Sequence, residues 1–191
     1  MATETTKRIR KRHGWSTLCR QLVTWEKPAL LALVKDLYEA NADSRDFIQA
    51  RCQAEENGGE ILEKYRGKIV EQFYPARGEA KLRLSEARKA IRDYRKATGN
   101  LAGTAELLLT FVEQGAEFTH DYGDINEQFY NSLESALDEL AALLYDEARG
   151  LYPQLSERLA RVEQITDGVG WGFHDHIGDV VWQLEEEQGD Q

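Results

Sequence analysis

Two short clusters of histidine and aspartate hold the side chains best suited to metal binding or acid–base chemistry. The first cluster lies in residues 170–179 and contains Trp171, His174, Asp175, His176 and Asp179. On a helix, Asp175 or His176 could share one metal ion with Asp179, because residues three or four apart lie on one face. His174 and His176 would point about 200° apart and could not bind the same ion. A structural helix start, with Asp175 near the positive end of the dipole, is the favoured interpretation.

The second cluster, residues 120–127, contains His120, Asp121 and Asp124. Its spacing does not match a calcium-binding EF-hand loop. Asp124 and Glu127 instead predict a capping box that starts a long helix. If the two clusters met in space, His120, Asp121, His174 and His176 could together form one site, so the metal-ligand set is left open.

Motifs for nucleophilic and nucleotide chemistry are absent from the sequence. There is no Gly-x-Ser-x-Gly, no phosphate-binding Gly-Lys-Ser/Thr loop and no dinucleotide fingerprint. We therefore expect a non-enzymatic protein with no cofactor. A metal-dependent enzyme built on the two His/Asp clusters is kept as an alternative.

Charge is distributed in two opposed blocks. Residues 97–148 contain eleven carboxylates and no lysine or arginine, and the preceding residues 77–96 are rich in cations. The basic surface predicted there consists of Arg88, Lys89, Arg92, Arg95 and Lys96. We expect the acidic block to be only partly compensated, leaving a surface that attracts a basic partner.

The leading functional prediction is a helical protein-interaction module that uses the acidic face at 97–148 and the adjacent basic helix at 77–96. A nucleic-acid-associated accessory protein is the alternative, because the basic helix and a basic N-terminal tail could neutralise phosphates. The net charge of −10 opposes binding to a polyanion. The oligomeric state is left open.

Apolar residues recur at helical spacing along most of the chain, which predicts an all-α fold of about eight antiparallel helices. These would form a bundle or a degenerate helical-repeat array. Leu30, Val34 and Leu37 predict one apolar face on a helix at about 26–39, and residues 57–59 predict a helix break. We expect a basic tail at 1–23, one helical domain at 24–184 and a frayed acidic end at 185–191.

A cytoplasmic protein without membrane segments is expected. The longest apolar run, residues 29–34, is far shorter than the ~20 residues of a membrane-spanning helix. Cys19 and Cys52 are not needed as a staple in a chain of this length, and two free thiols are typical of a reducing compartment.

Several stretches of the chain are familiar: residues 31–38, 84–94, 118–125, 130–134 and 170–175. Together they resemble an uncharacterised bacterial family of unknown function, related stretches of which occur beside SWIM-type zinc-finger modules. The resemblance covers about residues 24–184. It implies an all-helical bacterial cytosolic protein, and it implies no activity and no catalytic residues. The SWIM cysteines and histidines are absent, so zinc is not implied.

Overall fold

The computed structural model describes residues 14–189, and this part of the chain is all-α, without a strand. Its elements are α1 (Trp15–Leu22), α2 (Lys27–Ala40), α3 (Ala42–Phe73), α4 (Leu84–Thr98), α5 (Leu101–Tyr122), α6 (Glu127–Tyr145), a 3-10 turn (Arg149–Leu151), α7 (Tyr152–Ile165) and α8 (Phe173–Gly189). The predicted all-α class is confirmed. Residues 1–13 of the predicted basic tail, and the last two residues of the predicted acidic end, lie outside the described residues.

By its contacts the chain divides into two compact units, Met1–Asp46 and Phe47–Gln191. In the first unit, neither α1 nor α2 has a buried residue. The helix predicted near 26–39 is present as α2, with Pro28 in its first turn, where its missing N–H costs nothing. Two residues of its apolar face are exposed, Val34 at 44% and Leu37 at 48%.

The second unit is built around α5. Residues 107–112 are all buried, so the middle of α5 is enclosed, while Glu106, Glu113 and Glu117 form one half-buried polar side of the helix. It packs against α4, α6 and α7. The few polar side chains of α5 must therefore find partners on these neighbours.

Helices that follow one another around α5 are antiparallel, as the short loops predict. Tyr94 in α4 lies over Gly103 near the start of α5, and Gly115 near the end of α5 lies against Leu133 in α6. The helices α6 and α8 run parallel, because Tyr145 in the last turn of α6 contacts Gln183 far along α8. This arrangement places the two predicted His/Asp clusters at the same end of α6 and α8.

The predicted helix break at residues 57–59 is present, as a kink at which two helices meet. Asn57 has non-helical angles, φ −127° and ψ 31°, but the helix resumes and continues to Phe73. The two glycines that follow Asn57 lower helix propensity at this point. The two helices that the sequence predicted therefore meet at Asn57, and together they are called α3.

Candidate functional site

Two glutamates of α5 bind arginines from other helices. Arg158 in α7 donates to both oxygens of Glu113 at 2.7 Å and to Glu106 at 2.6 Å. Arg66 in α3 also pairs with Glu106, at 3.3 Å. The hydrogen bonds that Arg158 donates to Glu113, with the one to Glu106, hold the pKa of Arg158 above its ordinary value, although burial acts to lower it. These carboxylates are thus neutralised by cations 40 or more residues away in sequence.

The basic helix α4 pairs with the acidic helix α6. Arg88 binds Glu139 at 2.9 Å, and Arg95 lies 3.7 Å from Glu139 and 3.6 Å from Glu147. Burial lowers the pKa of Arg88, and Glu139 opposes that effect. Two of the five predicted basic-surface residues therefore bind the acidic block of the same chain.

The other three residues of that predicted surface lie toward solvent to different degrees. Lys89 pairs with Asp93 one turn along α4, at 3.0 Å. Arg92 and Lys96 are exposed, and the ammonium of Lys96 lies 5.9 Å from the ring centre of Phe47. The structure thus leaves a smaller basic surface on α4 than the sequence suggested.

Five of the eleven carboxylates at 97–148 pair with an arginine among the described residues: Glu106, Glu113, Glu117, Glu139 and Glu147. Asp121 and Asp124 accept hydrogen bonds from tyrosine hydroxyls, and Asp138 contacts His176. Three have neither kind of contact with another described residue: Glu127, Glu134 and Asp146. Of these, Glu127 and Asp146 are exposed and Glu134 is half-buried. The acidic block is therefore only partly compensated by cations within the fold. The carboxylates that lack an arginine partner lie at the end of α5, in the loop before α6, along α6 and just after it.

His120 and Asp121 line an open cleft of about 510 Å³. Its other lining residues are Tyr74, Gln114, Glu117, Arg161 and Ile165. The Tyr74 hydroxyl donates to Asp121 at 2.8 Å, and burial, with this hydrogen bond, raises the pKa of Tyr74. The cleft also contains an ion pair of 3.5 Å between Arg161 and Glu117. Its carboxylates are thus already engaged as hydrogen-bond acceptors or in an ion pair.

Asp124 does not cap α6 as predicted. The N-cap is Asn126, whose side-chain oxygen accepts from the N–H of Phe129 at 3.0 Å. Asp124 instead accepts from the Tyr130 hydroxyl at 2.9 Å and from the N–H of Gly170 at 3.3 Å. Burial and Asp124 raise the pKa of Tyr130 to about 12. Asp124 therefore joins the loop before α6 to the loop before α8.

The two histidines of the other cluster engage different partners. His174 Nδ1 lies 3.2 Å from the carbonyl oxygen of Glu163 and 3.3 Å from Thr166 Oγ1. His176 Nε2 lies 2.8 Å from Asp138 on α6. Within residues 14–189, no three or more His, Cys, Asp or Glu side chains are grouped so that they could hold a metal ion. The contact at Asp124 brings the predicted clusters together only at the backbone of Gly170.

Trp171, the remaining aromatic residue of that cluster, is 58% exposed and has φ +65°. A bulky residue rarely adopts this left-handed conformation without constraint from its surroundings. Asp175 and Asp179 are exposed as well. This part of the predicted site therefore faces solvent at the start of α8.

The apolar face of α2 was predicted from the sequence, but its exposure and the helix α1 were not. Ten large apolar side chains of the described residues are exposed, and seven of them lie between residues 15 and 37. They are Trp15, Leu18, Val23, Trp25, Leu31, Val34 and Leu37, named here the apolar arm. The spacing of four apolar residues predicts one face of a helix here: Trp15, Leu18, Cys19 and Leu22. These residues lie in the segment that was predicted to be a tail.

Comparison of the chain with protein-family models, with curated proteins and with solved structures finds no match. Among the described residues, no helix combines the length and the apolar character that crossing a membrane requires.

Proposed function

We propose that this protein is a non-enzymatic, helical protein-interaction module whose apolar arm binds a polypeptide partner. The observation that carries the proposal is that α1 and α2 bury no residue, while these helices and the segment between them expose seven large apolar side chains. Exposed apolar side chains that are grouped on the surface of a monomer typically mark an interface.

The energetic argument for a partner is simple. Each large apolar side chain that becomes fully buried contributes roughly 1.5–3 kcal/mol. Trp15, 71% exposed, and Trp25, 46% exposed, are also of the type most enriched among the residues that dominate binding energy. A helix that presents its apolar face to a groove or to another helix is a common mode of recognition.

The acidic face is a weaker candidate for the docking surface. The arginine pairs of Glu106, Glu113 and Glu139 bind α3, α4 and α7 to the acidic helices α5 and α6, so this charge supports the second unit. The unpaired carboxylates Glu127 and Asp146 can steer a basic partner, which mainly affects the rate of association. Among the described residues, no contact supports a nucleic-acid-associated protein or a metal-dependent enzyme as directly as the apolar arm supports a protein-interaction module.

We further propose a cytoplasmic location. Cys19 and Cys52 are both free thiols, and Cys52 is exposed. Exposed free thiols persist where the compartment is reducing.

The experiment that tests this function is site-specific photo-crosslinking in the cells that make the protein. A photoreactive side chain at Leu37, within the apolar arm, should give adducts with a polypeptide, either another protein or a second copy. The matched control is the same side chain at Ala32, which is exposed on the polar side of α2. Adducts at Leu37 should disappear when Leu31 and Val34 become Gln. No difference between positions 37 and 32 would reject the proposed function.

A further inference from the structure

The apolar stripe of α2 is symmetric about Val34. The exposed residues Leu31 and Leu37 lie three residues before and after Val34, and the half-buried residues Leu30 and Tyr38 lie four residues before and after it. Residues three and four apart share a helix face. A two-fold axis through Val34 therefore places this stripe against a second copy of itself, with Leu31 facing Leu37.

We propose that α2 pairs antiparallel with α2 of a second copy of this chain, about a two-fold axis at Val34. This inference rests on the proposed function and names its partner. An isologous contact requires only that one patch be complementary to itself, and such two-fold dimers are the commonest assemblies of soluble proteins.

Charge at the ends of α2 favours the antiparallel direction. The first turn of α2 contains Lys27, near the positive end of the helix dipole, and the last turn contains no basic residue. Cations are stabilising near the last turn, where carbonyl groups lack partners within the helix. In the antiparallel pair, Lys27 of each copy lies beside the last turn of the other. A parallel pair would instead place two Lys27 side chains next to each other.

The size of the contact sets the expected affinity. The 14 residues of α2 span about 21 Å, so the helix pair alone is below the roughly 1,200 Å² that stable specific interfaces bury. Trp25, close to the start of α2, can extend the contact. We therefore expect a reversible dimer with a Kd of roughly 1–100 μM.

The first test is sedimentation velocity of the full chain from about 1 to 200 μM, a range that brackets this Kd. Val34→Lys places two ammonium groups at the axis and should raise the Kd at least about 30-fold, while Lys favours the helix more than Val does. Ala32→Lys adds the same charge on the polar side of α2 and should leave the Kd unchanged. A monomer throughout this range, or equal effects of the two substitutions, would overturn the proposal.

The second test determines direction by disulfide formation in a chain whose Cys19 and Cys52 are replaced by Ser. Val34→Cys should link to itself, because only a residue on the axis faces its own copy, and Ala32→Cys should not. Leu31→Cys and Leu37→Cys should link faster when mixed than either does alone. If Leu31→Cys and Leu37→Cys each form disulfides faster alone than when they are mixed, the antiparallel arrangement is overturned.

The two proposals fail in different ways. If the photo-crosslinks at Leu37 contain only a different protein, the protein-interaction function stands and self-pairing is rejected. If the chain instead sediments with anionic lipid vesicles and remains monomeric without them, the apolar arm binds a lipid surface, and both proposals are rejected.

Discussion

Arg158 donates two hydrogen bonds of 2.7 Å to Glu113, from Nε and Nη2, and so joins α7 to the central helix α5. This bidentate geometry is the strongest arrangement of an arginine and a carboxylate. Arg158 thereby compensates two of the eleven carboxylates at 97–148, Glu106 and Glu113. The compensating charges come from helices that are far away in sequence.

Replacing Arg158 by Met should therefore lower the free energy of unfolding by about 1–3 kcal/mol, because Glu106 and Glu113 lose their shared cation in a partly buried position. Denaturant titration at neutral pH measures this loss. The control is Arg161→Met, which removes a longer and more exposed pair with Glu117 and should cost less than ~0.5 kcal/mol. Equal costs would show that the Arg158 pair has no special role.

Gly115 is required by the close approach of α5 and α6. A Cβ at this position would lie 2.4 Å from a methyl carbon of Leu133, a side chain with no exposed surface. Gly115→Ala should therefore destabilise the protein by about 1–3 kcal/mol. In contrast, Gly67→Ala, at an open position on α3, should stabilise it by about 0.5–1 kcal/mol. Thermal or denaturant unfolding of the two variants should shift in opposite directions, and a shift in the same direction would contradict the described packing.

Tyr130 should make the fold sensitive to alkali. Its pKa is raised from 10 in the unfolded chain to about 12 in the folded protein. The folded state thus favours the protonated hydroxyl, and this stabilisation is complete below pH 10 and is lost as pH rises through 12. The loss from this group is at most about 1.4 kcal/mol per pH unit.

The corresponding variant is Tyr130→Phe, which removes the hydrogen bond to Asp124. It should cost about 0.5–1.5 kcal/mol at pH 8 and should weaken the decline of stability between pH 10 and 12. Denaturant unfolding at a series of pH values tests both effects. If the variant declines as steeply as the unmodified protein, the alkaline sensitivity does not arise at Tyr130.

Local sequence signals predicted where the helices lie better than they predicted what each helix contacts. The apolar spacing that includes Phe129, Leu133 and Leu137 is sufficient to identify α6 and its buried face, since helical periodicity follows directly from burial. The cap was assigned to Asp124 instead of Asn126, because either residue type can accept the first N–H groups of a helix.

Contacts between distant segments had no signal in the sequence. The pairing of Arg66 and Arg158 with Glu106 joins residues 40 and 52 positions apart, and only the packing of α3 and α7 on α5 brings them together. Likewise, the periodicity of α2 indicates an apolar face but not whether another part of the chain covers it. The exposure of Val34 and Leu37 therefore required the structure.

The central claim, that a polypeptide covers the apolar arm, is tested most directly by the reactivity of a thiol at Val34. In a chain with Cys19 and Cys52 replaced by Ser, Val34→Cys and Ala32→Cys are labelled with a small maleimide, both in the producing cells and as dilute purified protein. We predict that the thiol at position 34 reacts at least about tenfold more slowly in cells than in dilute solution, because bound apolar surface excludes solvent. The thiol at position 32 should react equally fast in cells and in dilute solution. Equal reactivity at position 34 in cells and in dilute solution would contradict the proposed interaction surface.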